Sequence, residues 1–361
     1  MKLELEKNEK LKEEAISLLK RLIATPSFSK EEQQTAEIIA DFLLFKNIQF
    51  SRKGNNIWAT NRYFDPLLPS ILLNSHHDTV KPNQGYTRDP FEPTIEEGKL
   101  YGLGSNDAGG CLVSLIMVFV YFYEQKLPYN LILAASAEEE ISGKGGIEYL
   151  LPDLPEIDLA IVGEPTLLQL AVAEKGLLVI DAEVRGKAGH AARNEGLNAI
   201  YEALSDLNLI KDYRFKKKSD YLGENKVSAT IIQAGSQHNV VPERCTYTLD
   251  VRVTDAYSLD EAFEELRSVL RADLKPRSLR LNSSRIDPNH KILAAAKQMG
   301  LSLFGSPTLS DQALIPYPSV KIGPGDSARS HTADEFIYIE EIGRGIACYI
   351  TLLTIYFGIK H

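Results

Sequence analysis

Cysteine is scarce in this chain: Cys111, Cys245 and Cys348 stand far apart, with no Cys-x-x-Cys pair. That spacing excludes a thiolate zinc knuckle and offers no disulfide framework, so a bound metal would have to be held by histidine and carboxylate. Positive charge is also short. The 361 residues carry 40 Lys and Arg against 49 Asp and Glu, a net charge of −9. Phosphate binding wants a basic face, so nucleic acid is not expected as a partner. The one basic cluster, Lys216-Lys217-Lys218, reads as a solvated loop. Long apolar runs are missing too. The two candidates, 112–123 and 346–357, are well below the ~20 residues of a spanning helix and are expected as buried core helices. Residues 1–14 are dense in charges of both signs and lack the apolar centre of a signal peptide. A cytoplasmic protein without a membrane partner is expected.

What is present is a globular composition, 44% hydrophobic and 25% charged, in a chain too long for one ordinary core. Ile16, Leu19 and Ile23 recur at helical spacing over 11–24. Ser29 followed by Glu32 forms a capping-box pattern for a second helix that runs to about Lys46. Strands are expected at 57–60, 70–75, 130–136 and 159–163. From about Ala173 the texture changes. Strands at 177–184, 227–233 and 245–253 alternate with helices at 198–209 and 259–270, which suggests a small α+β insert. The α/β texture returns near Asp287.

The chemistry gathers where apolar strands end. The run Ile71-Leu72-Leu73 leads into Asn74-Ser75-His76-His77-Asp78. In extended chain His76 and Asp78 share a face while His77 points away. An imidazole beside a carboxylate suits a metal site, the carboxylate fixing the tautomer directly or from behind. Gly102-Leu103-Gly104-Ser105-Asn106-Asp107-Ala108-Gly109-Gly110 puts Asp107 where a dinucleotide fingerprint needs its third glycine, and a carboxylate there repels pyrophosphate. The glycines instead let the backbone bring Asp107 close to a metal. The strand at 130–136 ends in Glu138-Glu139-Glu140, costly unless something positive sits among them. Adjacent glutamates point apart, so one can bind metal while the other handles a proton. An acidic helix N-terminus is the alternative, and the residues alone leave both open. A third strand ends in Glu164. In open α/β sheets ligands collect at the carboxyl ends of strands, and three such endings indicate a site.

Together these motifs resemble the co-catalytic zinc aminoacylase and peptidase family: His76-x-Asp78, Asp107 in its glycine turn, Glu139-Glu140-x-Ser-Gly-x-Gly-Gly, Gly163-Glu164-Pro165-Thr166 and His331-Thr332-x-Asp334-Glu335. Gly-Glu-Pro-Thr and the modest length look most like its acetylornithine deacetylase and succinyl-diaminopimelate desuccinylase branch. The resemblance implies an α/β catalytic domain with a central mixed sheet between helices (1–174 and 287–361). It also implies an inserted α+β, ferredoxin-like lid and dimerisation domain (175–286). Two zinc ions, with cobalt a possible substitute, would share Asp107. His76 and Glu164 would complete one site, Glu140 and His331 the other. Glu139 would be the general base and Asp78 would orient His76. His190 would stabilise the oxyanion across a homodimer, and Asn239, Arg252, Ser327 and Arg329 would contact substrate. His77, His238, His290 and His361 are left as structural or exposed. The implied activity removes an acetyl or succinyl group from an ornithine-like amino acid, as in arginine biosynthesis. A di- or tripeptidase and an inactive zinc-binding dimer are the alternatives. One departure is Asp107-Ala108-Gly109-Gly110, where relatives carry Asp-x-Lys-Gly.

Overall fold

The structure, a computed structural model, describes residues 2–193 and 195–359, with side chains from Lys7 onward. In chain order the main elements are helices α1 (Lys2–Ile23) and α2 (Gln33–Phe45), then strands β1 (Ser51–Lys53), β2 (Asn56–Thr60) and β3 (Ser70–His76). Helix α3 (Gly110–Phe122) precedes β4 (Asn130–Ser136), β5 (Leu159–Val162), β6 (Leu170–Glu174) and β7 (Gly176–Arg185). Next come α4 (Ala199–Lys211), β8 (Lys226–Ala234), β9 (Arg244–Val253), α5 (Leu259–Arg267) and β10 (Asp273–Pro276). The chain finishes with α6 (Lys291–Gln298), β11 (Ser319–Lys321) and α7 (Ile339–Phe357).

Two compact units emerge. The first comprises 1–172, 286–304 and 310–361, and its sheet runs β1-β2-β4-β3-β5-β11-β6. It is a mixed sheet: β3 pairs in parallel with β4 and β5, β11 with β5, while β2 meets β4 antiparallel. Alternation along the strands explains how both faces are filled. Ile71, Leu73, Leu131, Leu133, Leu159 and Ile161 join the core under α1, α2, α3 and α7. Leu72, Ile132, Ala134, Ala160 and Val162 pack on the opposite face with Ile147, Leu150 and Ile315. Helix α1 begins nine residues before the expected start at Leu11, because the Glu- and Lys-rich leader is itself made of good helix formers. The apolar stretch around α3 is also longer than expected. Among the described residues only the stretch Ser105–Phe122 has the length and apolarity to cross a membrane, but it is broken by the non-helical Asp107 and Ala108 ahead of α3, and 83% of it is buried inside the protein.

The second unit comprises 173–285 and 305–309. Its antiparallel sheet runs β8-β9-β7-β10, and α4 and α5 cover one face. Strand–helix–strand–strand–helix–strand in this order is the ferredoxin-like arrangement. Leu178, Ile180, Ala182 and Val184 alternate inward along β7, and Cys245, Tyr247, Leu249 and Val251 do so along β9. A capping box between Ser258 and Glu261 starts α5. Residues 305–309 belong here because Lys175 donates its amide to the Ser306 carbonyl and Gly305 lies directly on the Tyr221 backbone. No sequence signal marks that return.

Candidate metal centre

Because β3, β4 and β5 are parallel neighbours, their carboxyl ends open on one edge, with His76 opposite Ser136 and Asn74 opposite Val162. Beyond β4 the chain turns through Glu138, in the left-handed region at φ 55°, into a single tight turn over Glu139–Ile141. Gly143 is needed there, since a Cβ would fall 2.5 Å from the Glu138 Cβ, whereas a Cβ at Gly145 would only push the Glu138 carboxylate aside. Beyond β5, Gly163 donates to the Asn74 carbonyl at 2.7 Å and delivers Glu164. Two further loops bring Asp107 and His331 to the same edge.

Asp107 faces both imidazoles. Its Oδ1 lies 3.4 Å from His76 Nε2 and its Oδ2 lies 3.6 Å from His331 Nε2. Around His76 stand Glu164 at 3.7 Å and Glu139 at 3.8 Å. Beside His331, Glu140 closes to 2.9 Å. The ligand atoms of His76, Glu139 and Glu164, and those of His76, Asp107 and Glu140, fall within 4.8 Å of one another. His76 Nε2 is buried without a hydrogen-bond partner. An orphaned imidazole nitrogen ringed by carboxylates fits a divalent cation, and a His/carboxylate donor set is what catalytic zinc-type sites use.

Electrostatics lead to the same reading. Burial pulls His76 down, yet Glu139, Asp107, Asp78 and Glu164 together hold its imidazole well above the ordinary range. The Glu140 hydrogen bond pushes His331 up to about 9. Burial, with Glu164 and Asp311 nearby, lifts Glu139 well above a normal carboxyl group. This much negative charge in so little space calls for cations.

Asp78 does more than the sequence suggested. The nearest acceptor for His76 Nδ1 is the Asp78 backbone carbonyl at 3.0 Å, and the carboxylate stands off at 3.4 Å. That carboxylate takes hydrogen bonds from Glu139 N (3.0 Å), Glu140 N (3.1 Å) and Ser29 Oγ (2.7 Å), so it fixes the glutamate turn as well. Ser29 is therefore not a helix cap. Helix α2 starts after Glu32 with no side-chain cap, and the buried Glu32 carboxylate instead accepts from Lys30 N, Glu138 N and Asn55 Nδ2. Ser29→Ala is expected to cost about 1.5–3 kcal/mol in urea unfolding, the usual range for a bond to a charged group, and to lower kcat by loosening Asp78. A stability loss with unchanged kcat would leave Ser29 only a structural part.

Two arginines are committed elsewhere. Arg329 forms a fork with Glu341 at 2.7 and 2.8 Å and lies over Phe336 and Tyr338, so its guanidinium is not free for a substrate. Arg252, in the second unit, is held by Asp250 at 2.9 and 3.0 Å, two residues back on the same face of β9. Ser327 is exposed in a short turn. His190 and Asn239 lie in exposed segments of the second unit, where Ala191 N donates to the Asn239 carbonyl and Ala192 N to His190 Nδ1. His77 is structural, bonded to Thr35 and the Asn55 carbonyl. His290 caps α6 and His238 is exposed. His361 lies outside the described residues.

Two buried acids were missed. Asp311, raised to about 6 chiefly by burial, accepts from Ser136 Oγ at 2.5 Å. Glu335 is raised to about 8, again chiefly by burial, and receives backbone amides of the Asp107 turn. Glu335 sits in the quoted His-Thr-Ala-Asp-Glu run, but nothing local marked it as more than an acid. The absent lysine has a steric counterpart: a Cβ at Gly109 would meet the Gly104 carbonyl at 2.4 Å and Leu19 at 2.6 Å.

Residues 72–354 match the sequence model described as peptidase family M20/M25/M40. The chain is 29% identical to acetylornithine deacetylase of Proteus mirabilis over 89% of this chain and 91% of that one. It is 28% identical to the Shigella sonnei enzyme of the same name, over 89% and 92%. In fold it resembles aminopeptidase PepT of Bacillus cereus (TM-score 0.78, 17% identity, 97% and 99% of the two chains). It also resembles a dinuclear metal-binding M20 peptidase of Bacillus subtilis (TM-score 0.74, 17% identity, 98% and 100%). The chain belongs to peptidase family M20/M25/M40 and is a metal-dependent hydrolase of that family.

Proposed function

We propose that the protein removes an N-acyl group, acetyl or succinyl, from an ornithine-like amino acid, using two zinc ions that cobalt can replace. The observation that carries this is Asp107, whose two oxygens face two different imidazoles while Glu139 stands beside the pair. The likeness to two acetylornithine deacetylases over most of the chain supports the substrate class. His76, Asp107 and Glu164 would hold one ion, and Asp107, Glu140 and His331 the other. A bound zinc pair supplies Lewis acidity to the amide carbonyl and makes an attacking water more acidic.

The chain's own groups handle the protons. Glu139 accepts the proton of the water whose oxygen bonds to the acyl carbon, then gives it to the departing amine nitrogen as the C–N bond breaks. Asp78 holds the Glu139 and Glu140 amides and so sets where that carboxylate stands. His190 is assigned as the oxyanion donor and Asn239 as a substrate contact. Arg252 is assigned to a substrate carboxylate, for which it must exchange its Asp250 partner. The second unit is assigned to pairing with another copy. Exposed Tyr201 and Leu204 on α4 and Ile231 and Ile232 on the open edge strand β8 support this.

The test is amine release from acetyl and succinyl derivatives of ornithine, citrulline, lysine and diaminopimelate, with dipeptides alongside, each with and without a chelator. Chelator-sensitive turnover of an acyl-ornithine or acyl-citrulline is expected. Turnover of dipeptides alone would move the protein to the peptidase side of its family.

A further inference from the structure

Glu335 is a carboxylate only 2% exposed, and none of the roles above uses it. Its Oε1 accepts from Asn106 N at 2.8 Å and Asp107 N at 2.9 Å, and its Oε2 accepts from Gly104 N at 3.2 Å. These amides need such an acceptor. Asp107 has φ −114° and ψ 100°, outside helical geometry, so the turn lacks a regular ladder to satisfy its N–H groups. The Asn106 side chain adds a second tie, exchanging hydrogen bonds with the Asp326 backbone at 3.0 Å each.

The other end of the same short segment carries His331. Both His331 (φ 59°) and Asp334 (φ 52°) lie in the left-handed region, which few side chains adopt and which Asp and His tolerate better than most. Asp334 accepts from Thr87 N, Thr87 Oγ1 and Arg88 N, and Asn83 Nδ2 donates to the His331 carbonyl. Directly after Glu335, strand residues Phe336–Tyr338 pair with Lys99–Tyr101. The segment is thus clipped at both ends, and the Glu335 side chain ties it to the Asp107 turn.

We propose that Glu335 is a positioning residue: it fixes Asp107 and His331 in one geometry, so metal affinity depends on a carboxylate that itself binds no metal. The proposal rests on the reading of Asp107 and His331 as ligands. Both Glu335 oxygens face amides of the Asp107 turn, and Glu335 is not among the groups whose ligand atoms gather within 4.8 Å of one another. Partners behind metal ligands commonly change metal affinity by about 10–100-fold when removed.

The experiment titrates metal-stripped full-length protein with Zn²⁺ by calorimetry and measures retained metal by elemental analysis. Its variants are Asp107→Asn, Glu335→Ala, Glu335→Asp and Glu335→Gln. Glu335→Ala is expected to bind zinc about 10–100-fold more weakly and to regain turnover at excess zinc. Glu335→Gln is expected to fall between wild type and Glu335→Ala, since its amide oxygen can keep the Asn106 and Asp107 bonds while its NH2 group faces the Gly104 N–H and loses that one. Loss in Glu335→Gln equal to that in Glu335→Ala overturns the hydrogen-bond account. Wild-type affinity in Glu335→Ala, with Asp107→Asn impaired, overturns the proposal alone. Wild-type affinity in Asp107→Asn overturns the ligand assignment and the proposal with it. If Glu335→Ala does not fold, Glu335→Asp, one methylene too short to reach, decides: about tenfold weaker binding supports the proposal, and unchanged binding sinks it.

Discussion

Glu139→Gln is expected to keep both metal equivalents and to lose about 10²–10⁴-fold in kcat, the span that general base catalysis ordinarily contributes. The amide is nearly isosteric, so the Glu139 backbone bond to Asp78 at 3.0 Å and the surrounding packing survive. What goes is the capacity to accept a proton from water. Glu140 should behave in the opposite way. Its carboxylate lies 2.9 Å from His331, on the side where Asp107 Oδ2 also points, so Glu140→Ala is expected to lose one metal. Metal content and kcat measured on both variants separate the two roles. If Glu139→Gln sheds metal as Glu140→Ala does, the two roles are exchanged.

Metal removal is the second large effect. A chelator is expected to bring turnover to background, and rebinding is expected to expel protons. The sign follows from His331. Its bond to Glu140 pushes it up to about 9, so at neutral pH the metal-free imidazole carries its proton. A ligand imidazole must be neutral, so metal competes with that proton. Affinity therefore rises with pH by about tenfold per unit for each proton displaced, until pH passes about 9, and flattens above it. His76, also held well above its ordinary value, adds to the slope in the same direction. Calorimetry in buffers of different ionisation enthalpy counts the released protons, and affinity that stays flat from about pH 6 to 8 would contradict this account. Binding to the folded state alone also stabilises it, by about 4 kcal/mol at a thousandfold excess over Kd. Refilling the site should therefore raise the unfolding midpoint.

The sheet and the site were legible to different depths. Strands around Leu72, Leu133 and Ile161 could be read because buried parallel strands are short continuous apolar runs, and each stopped at a residue that apolar surroundings do not tolerate. Such an ending reports chemistry locally. Asp311 and Glu335 could not be read this way, because their neighbours in space are Ser136 and Asp107, well over a hundred residues away. Ser29 failed for a related reason: a serine before a helix satisfies the cap pattern whether its hydroxyl turns to the helix or, as here, to Asp78. Arg329 looked available to a substrate only because nothing in the sequence showed that Glu341 would claim it.

Strand β11, which lies between β5 and β6, has a bearing on how the protein is made. It comes some 150 residues after β5 in the chain, and His331 follows it. During synthesis the first unit must therefore wait with an unfilled slot in its sheet, while the second has all but residues 305–309 in one stretch, 173–285, and can begin to fold as soon as that stretch emerges. Pairing across such a separation is slow, which exposes the edges of β5 and β6 in the interval. The same order delays the proposed metal centre. Its acids at 107, 139, 140 and 164 are synthesised early, but the last imidazole arrives only with the strand that closes the sheet. A nascent chain cannot assemble the complete site before its fold is nearly finished.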